Sequence, residues 1–186
     1  MILVVNNSSL VKLKTVTISN DAAVTFDNTI ITDAFQTYKV IGSNILLASD
    51  DNRIEVTLST NNGSSYTTSG YAQAKHTGRS SDSDSTTTFR GGASKESMRL
   101  TGSRFNCGAA SGEKTHFEAL YHGLRQSNAD KFCSYMTSFA DDSGTVAMEI
   151  GITGTTNVTG AVDNIKFVSS SGNLTSGTMT IYGVRV

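Results

Sequence analysis

The chain has 186 residues, 37% of them hydrophobic, with 15 basic and 16 acidic side chains for a net charge of −1. That length suits one domain, and the even charge balance with no basic cluster excludes a dedicated nucleic-acid binder, which needs Lys and Arg to displace counterions. Pro and Trp are absent and Ser plus Thr make up about a quarter of the residues, a mix that favours short strands with polar outer faces and hydroxyl-rich turns.

The opening "MILVVNN" is too short for a signal peptide and lacks the positive n-region of one. Nothing approaches membrane-spanning length. The product is therefore expected in a cytoplasm, with no membrane partner. In "SLVKLKTVTIS", Val11 and Leu13 share one face while Val16 and Ile18 fall on the other. A bulge near Thr15 reconciles them. Period-two alternation then predicts half-buried strands at "TYKVI", with Tyr38 and Val40 inward, and at "RIEVTLST", with Ile54, Val56 and Leu58 inward. Turn signals separate them at "SDDN", 49–52, and "STNNGSS", 59–65. Tyr66 and Tyr71 flank the second turn and are the candidates for a sugar platform.

From His76 to Ser97 the sequence is polar and of low complexity, with Phe89 its one large apolar residue. So little apolar surface forms no core, and a long polar loop at about 76–97 is expected, as a contact arm or a disordered excursion. "SMRLT" then places Met98 and Leu100 on a strand, after the turn signal "GGAS". Cys107 and Cys133 have no CxxC spacing, and isolated cysteines of a cytoplasmic product read as small buried hydrophobes.

"HFEALYH" holds the one local cluster of ionisable side chains. On a strand His116, Glu118 and His122 point one way, but the two histidines lie about 20 Å apart and cannot share a metal. An outward polar face with Phe117, Ala119 and Tyr121 inward explains the pattern. "SNADKFCSYM" is the best helical candidate, although "FCSYMTSFA" also alternates as a strand. "TVAMEIGI" predicts Val146, Met148, Ile150 and Ile152 inward, and "DNIKF" predicts the same of Ile165 and Phe167. In "SGNLTSGTMTIYGVRV", Met179 and Ile181 are in phase but Val184 and Val186 are not, which marks Gly183 as the expected bulge.

The paired aspartates Asp50/Asp51, Asp82/Asp84 and Asp141/Asp142 sit in turns without the D-x-D-x-D-G run and distal Glu of a calcium loop. No nucleophile elbow, phosphate loop or Cys beside a plausible His is present. No catalytic, metal or cofactor-binding residue is therefore assigned and no cofactor is expected. Nine to eleven short strands with turn signals between them give an all-β fold: a single antiparallel β-sandwich of jelly-roll type spanning 1–186.

From Phe35 to Ala72 the sequence carries an aromatic-x-x-Tyr-Lys-Val-Ile strand (Phe35, Tyr38 to Ile41), then Asn44 and Ile45. The alternating strand Ile54 to Leu58, Ser59, Gly63 to Tyr66, and Ser69 to Tyr71 follow. The ending from Ile165 to Val184 contains "SGN-x-x-SG-x-x-x-x-YG". Together these resemble a pattern in small virion proteins of tailed bacteriophages, particularly phages of cyanobacteria and marine bacteria. The centre, "RSSDSDSTTTFRGG", departs from it. The resemblance implies a non-enzymatic structural protein of the virion, assembled in the host cytoplasm. A capsid decoration or cement protein is the first expectation, with the major capsid protein or other virion proteins as partners and a homotrimer as its state. The alternative is the receptor-binding head of a tail fibre that recognises host surface glycans.

Overall fold

Alternating apolar and hydroxyl residues convert almost directly into strands. The computed structural model describes residues 9–81, 88–102 and 105–185, and among these it contains strands and turns but no helix. The strands in chain order are β1 (Leu10–Asp21), β2 (Val24–Phe26), β3 (Thr37–Leu47), β4 (Ile54–Ser59), β5 (Tyr71–Arg79), β6 (Thr88–Lys95), β7 (Met98–Arg99), β8 (Thr115–His122), β9 (Lys131–Ala140), β10 (Val146–Thr155), β11 (Asn164–Ser169) and β12 (Leu174–Val184). They form an eight-stranded sheet in the order β1-β12-β3-β8-β9-β10-β5-β6 and a four-stranded sheet in the order β2-β11-β4-β7. Every pairing is antiparallel. The two sheets pack as a sandwich, with a connectivity compatible with a jelly roll. Among the described residues no helix is long and apolar enough to cross a membrane.

The inter-sheet core is apolar at one end. Phe167 on β11 stacks on Phe117 of β8 at 5.9 Å between ring centres and meets Phe26 and Tyr121 edge-on at 6.0 and 6.3 Å. Ile54, Val56, Leu58, Met98, Leu100, Ile165, Met179 and Ile181 are fully buried around it, as their strand phases predict. Phe117, Ala119 and Tyr121 also face inward, and so do the free thiols of Cys107 and Cys133.

At the other end the interior turns polar. Lys75 on β5 and Glu149 on β10 form an ion pair, Nζ to Oε1 2.7 Å, with side chains only 0% and 1% exposed. The Tyr135 hydroxyl donates to the same carboxylate oxygen at 2.8 Å. Burial holds the Lys75 pKa below the usual lysine value, opposed by the neighbouring carboxylate. Nearby, the Thr137 hydroxyl on β9 donates to the Leu100 carbonyl at 2.8 Å. Leu58 N donates to the Tyr71 hydroxyl at 3.1 Å. Both bonds tie the large sheet to the strands opposite.

Four expectations are corrected. "SNADKFCSYM" is not helical but follows the alternative reading of "FCSYMTSFA" as a strand: from Lys131 it is β9, with Cys133, Tyr135, Thr137 and Phe139 buried. The stretch from His76 to Ser97 is not one loop, since it holds the end of β5, all of β6 and the start of the turn into β7, with His76 opposite Phe89 and Thr77 opposite Thr88. An edge strand so poor in apolar residues is held by its backbone ladder, which composition does not report. Residues 82–87, including Asp82 and Asp84, lie outside the described residues.

Gly183 is not a bulge but a regular ladder position, paired with Val11 and Tyr38. It faces inward, and a Cβ there would lie 2.4 Å from the Phe35 ring. The absent side chain makes room for that ring. The irregularities of β12 fall instead between Leu174 and Thr178, where Gly177 has φ +117. In β1 the expected bulge sits at Leu13, between Lys12 and Lys14, and lets Leu13 and Val16 both pack on the core. The fourth correction concerns β10 and shapes the candidate site.

The buried acids predict how the fold responds to alkali. Burial raises the pKa of Tyr71 to about 12 and also pushes up Tyr121, Tyr135, Cys107 and Cys133. Unfolded thiols and phenols ionise near 8.5 and 10. Above those values the folded state therefore holds more protons than the unfolded one, so stability falls as pH rises through the folded pKa values. Lys75 and Lys131, whose pKa values burial lowers, act in the opposite sense but are outnumbered. The melting temperature should drop steadily once pH passes about 9; a flat profile up to pH 11 would contradict the burial. The Tyr121 hydroxyl is buried without a hydrogen bond, so Tyr121→Phe should be neutral or stabilising by about 1 kcal/mol, with a shallower alkaline slope.

Candidate functional site

Strand β10 has its phase inverted. Val146, Met148, Ile150 and Ile152, expected in the core, are 63%, 43%, 45% and 55% exposed, whereas Ala147, Glu149 and Thr153 are buried. The ion pair with Lys75 and the hydroxyl of Tyr135 hold Glu149 inside. With side chains alternating strictly, that commitment sends every large apolar residue of the strand outward.

These residues join others on the outer face of the eight-stranded sheet. One cross-strand row runs Ile41, Glu118, Met136, Ile150, His76 and Phe89 over β3, β8, β9, β10, β5 and β6. The adjacent row runs Lys39, Leu120, Ser134, Ile152, Ala74 and Gly91. Beyond it Phe132 stands between His122 and Gly154, and on the other flank Met148 stands between Ser138 and Gly78. Phe89, Phe132 and Met136 are exposed. Towards β12 and β1 the same face becomes hydroxylic, where Thr15 and Thr180 share a hydrogen bond of 2.9 Å. The apolar surface is therefore local to β9, β10, β5 and β6.

The large residues leave hollows between them. One of about 240 Å³ is lined by Ile41, Ser43, His116, Met136, Ser138 and Met148. A second, of about 350 Å³, lies over Ala72, Ala74 and Gly154 and is walled by Phe132 and Ile152. Gly154 is small because the Phe132 ring crosses it: a Cβ there would meet ring atoms at 2.8 Å. A third hollow, of about 440 Å³, lies on the far side of Phe132 and is polar, lined by Gln36, His122, Gln126 and Asp130 among others.

The ionisable cluster of β8 lies on this face. His116 and Glu118 are exposed; Glu118 pairs with Lys39 at 2.8 Å and His116 Nδ1 accepts from Asn44 N at 3.4 Å. The tyrosines considered as a sugar platform are not one. Tyr71 is fully buried, while Tyr66 is half-buried, covered by the Lys166 ammonium at 3.9 Å and bonded to Asn164. The aspartates serve turns. Asp50 accepts from Ala109 N at 2.6 Å and Asp51 from the Asn106 amide at 2.5 Å. Burial works against the charge of Asp141, but bonds from Ser143, Thr145 and Arg79 outweigh it and hold its carboxyl below the usual range. Among the described residues no three His, Cys, Asp or Glu side chains gather as metal ligands.

The apolar face was missed because an alternating run shows that one side of a strand is apolar, not which side is buried. One signal was present: Glu149 lies between Met148 and Ile150, a charged side chain on the phase opposite to four large apolar residues of β10. Comparison with known protein families, curated proteins and solved structures finds no match to the chain.

Proposed function

We propose that the protein is a structural component of a tailed-bacteriophage virion, a decoration or cement protein on the outside of the capsid. The observation that carries the assembly role is the apolar outer face of β9, β10, β5 and β6. Solitary soluble domains seldom expose contiguous apolar patches beyond a few hundred Å² unless the patch is an interaction site. The virion setting rests on the resemblance at Phe35 to Ala72 and Ile165 to Val184. These stretches are distant in sequence but adjacent in space: β3 pairs with β12 and β4 pairs with β11. The pattern therefore describes one contiguous half of the sandwich.

A cement protein acts by binding the assembled shell in preference to its free subunits, which stabilises the shell by linkage. Particles lacking the protein should lose infectivity at lower temperature or milder osmotic shock than complete ones, with host adsorption unchanged. The second reading, a receptor-binding head, is favoured by the polar hollow beside Phe132. An exposed ring next to two amides, an imidazole and a carboxylate suits the C–H face and hydroxyls of a sugar. That reading replaces the first if particles without the protein are as robust as complete ones but fail to attach.

A further inference from the structure

We infer that the apolar outer face is covered by the same face of a second copy of this chain, packed sheet on sheet about a two-fold axis lying in the interface. The inference rests on the assembly role proposed above, not on the virion assignment.

Size is the first argument. The apolar centre is four strands wide, and with Leu120 and Ile41 on the flanking β8 and β3 the face spans six strands and about five same-side residues, roughly 24 by 26 Å, or on the order of 600 Å² in projection before its relief is counted. A specific interface takes about 800 Å² of accessible surface from each partner. The patch is therefore of the size that one further copy covers. A short peptide would leave most of it wet.

Charge is the second argument. The ion pair on the face, Lys39 with Glu118, is made within the chain, and the rest of the two central rows is apolar, small, hydroxyl or histidine. A nucleic acid or a strongly charged protein surface would find no complement here. Two identical faces of this kind meet without placing like charges opposite each other.

Relief is the third argument. Met136 and Ile150 stand directly opposite each other and form a central ridge. On one side of it lies the hollow of about 240 Å³ against Met148, and on the other the hollow of about 350 Å³ against Ile152 and Phe132. A surface with ridge and hollows side by side can receive its own image, as a two-fold contact requires. Stacked sheets sit about 10 Å apart with interdigitated side chains, and residues of this size fill that gap. Face-to-face closure stops at two copies, whereas the sequence resemblance led to an expectation of three.

The test needs only the purified protein. Sedimentation at micromolar concentration should show twice the mass of the chain. Ile150→Asp and, separately, Met136→Asp should give folded monomers, with association weakened by about 100-fold or more, because each puts a carboxylate at the centre of a desolvated patch, and at 136 it lies beside Glu118. Near-ultraviolet circular dichroism and the melting temperature of the dilute monomer report whether each variant folds. Should either fail to fold, methionine oxidation of the wild type replaces it. Met136 and Met148 should be protected from peroxide at high protein concentration and exposed on dilution, while buried Met98 and Met179 remain slow throughout. A wild-type monomer overturns the inference, and so does a trimer or a dimer that survives both substitutions with Met136 and Met148 unprotected. A dimer closed through this face leaves the shell to be bound by other surfaces, so the virion reading then stands or fails on particle stability alone.

Discussion

Replacing Lys75 by methionine should lower the unfolding free energy by about 3–5 kcal/mol, the loss measured when one partner of a buried pair is removed. Lys75 and Glu149 have 0% and 1% of their side chains exposed and meet at 2.7 Å. Removing the ammonium takes away the charge that Lys75 places 2.7 Å from the buried carboxylate. The melting temperature should fall by roughly 10 °C for a domain of this size. The double variant Lys75→Met/Glu149→Leu should recover most of that loss, because two apolar side chains of similar volume need no desolvation of charge. Chemical denaturation of the three proteins decides the matter. A single variant within about 1 kcal/mol of the parent would show that water reaches the pair.

Phe167→Ala should be as damaging. The ring contacts Phe117, Phe26 and Tyr121 at 5.9, 6.0 and 6.3 Å between centres and is fully buried where the two sheets meet. Truncation removes the transfer free energy of the ring and leaves a cavity that rigid strands on both sides cannot close. Losses of about 3–5 kcal/mol are typical of such changes. Phe167→Leu should lose about half as much, since it keeps most of the volume. If the two variants unfold at the same denaturant concentration, the ring is not the hub that its contacts describe.

Both expectations concern the inside of the sandwich, and the sequence disclosed its two ends unequally. Around Phe167 the alternation of Ile54, Val56 and Leu58, and of Ile165 and Phe167, specified strand, face and burial together, because polar partners such as Glu55 and Lys166 left a single buried side. Tyr38 and Val40, and Phe117 with Tyr121, follow the same logic. The all-β antiparallel sandwich was legible for that reason. So was the outward placement of His116 and Glu118, since their inward neighbours are the larger apolar residues.

Local pattern failed wherever a residue's role depended on a partner far along the chain. Gly183 looks like a bulge until Phe35, 148 positions earlier, is found in the space its side chain would fill. The polar stretch after His76 looks like a loop because a backbone ladder to an edge strand leaves no trace in hydropathy. β10 is the clearest case. By itself "TVAMEIGI" determines a strand with one apolar side, and nothing in it says that Glu149 will meet Lys75, which lies 74 positions away. Only the tertiary structure decides that. Once a buried carboxylate has its ammonium, period-two geometry sends Val146, Met148, Ile150 and Ile152 to the outer face, and the proposed interaction surface follows from that one long-range ion pair.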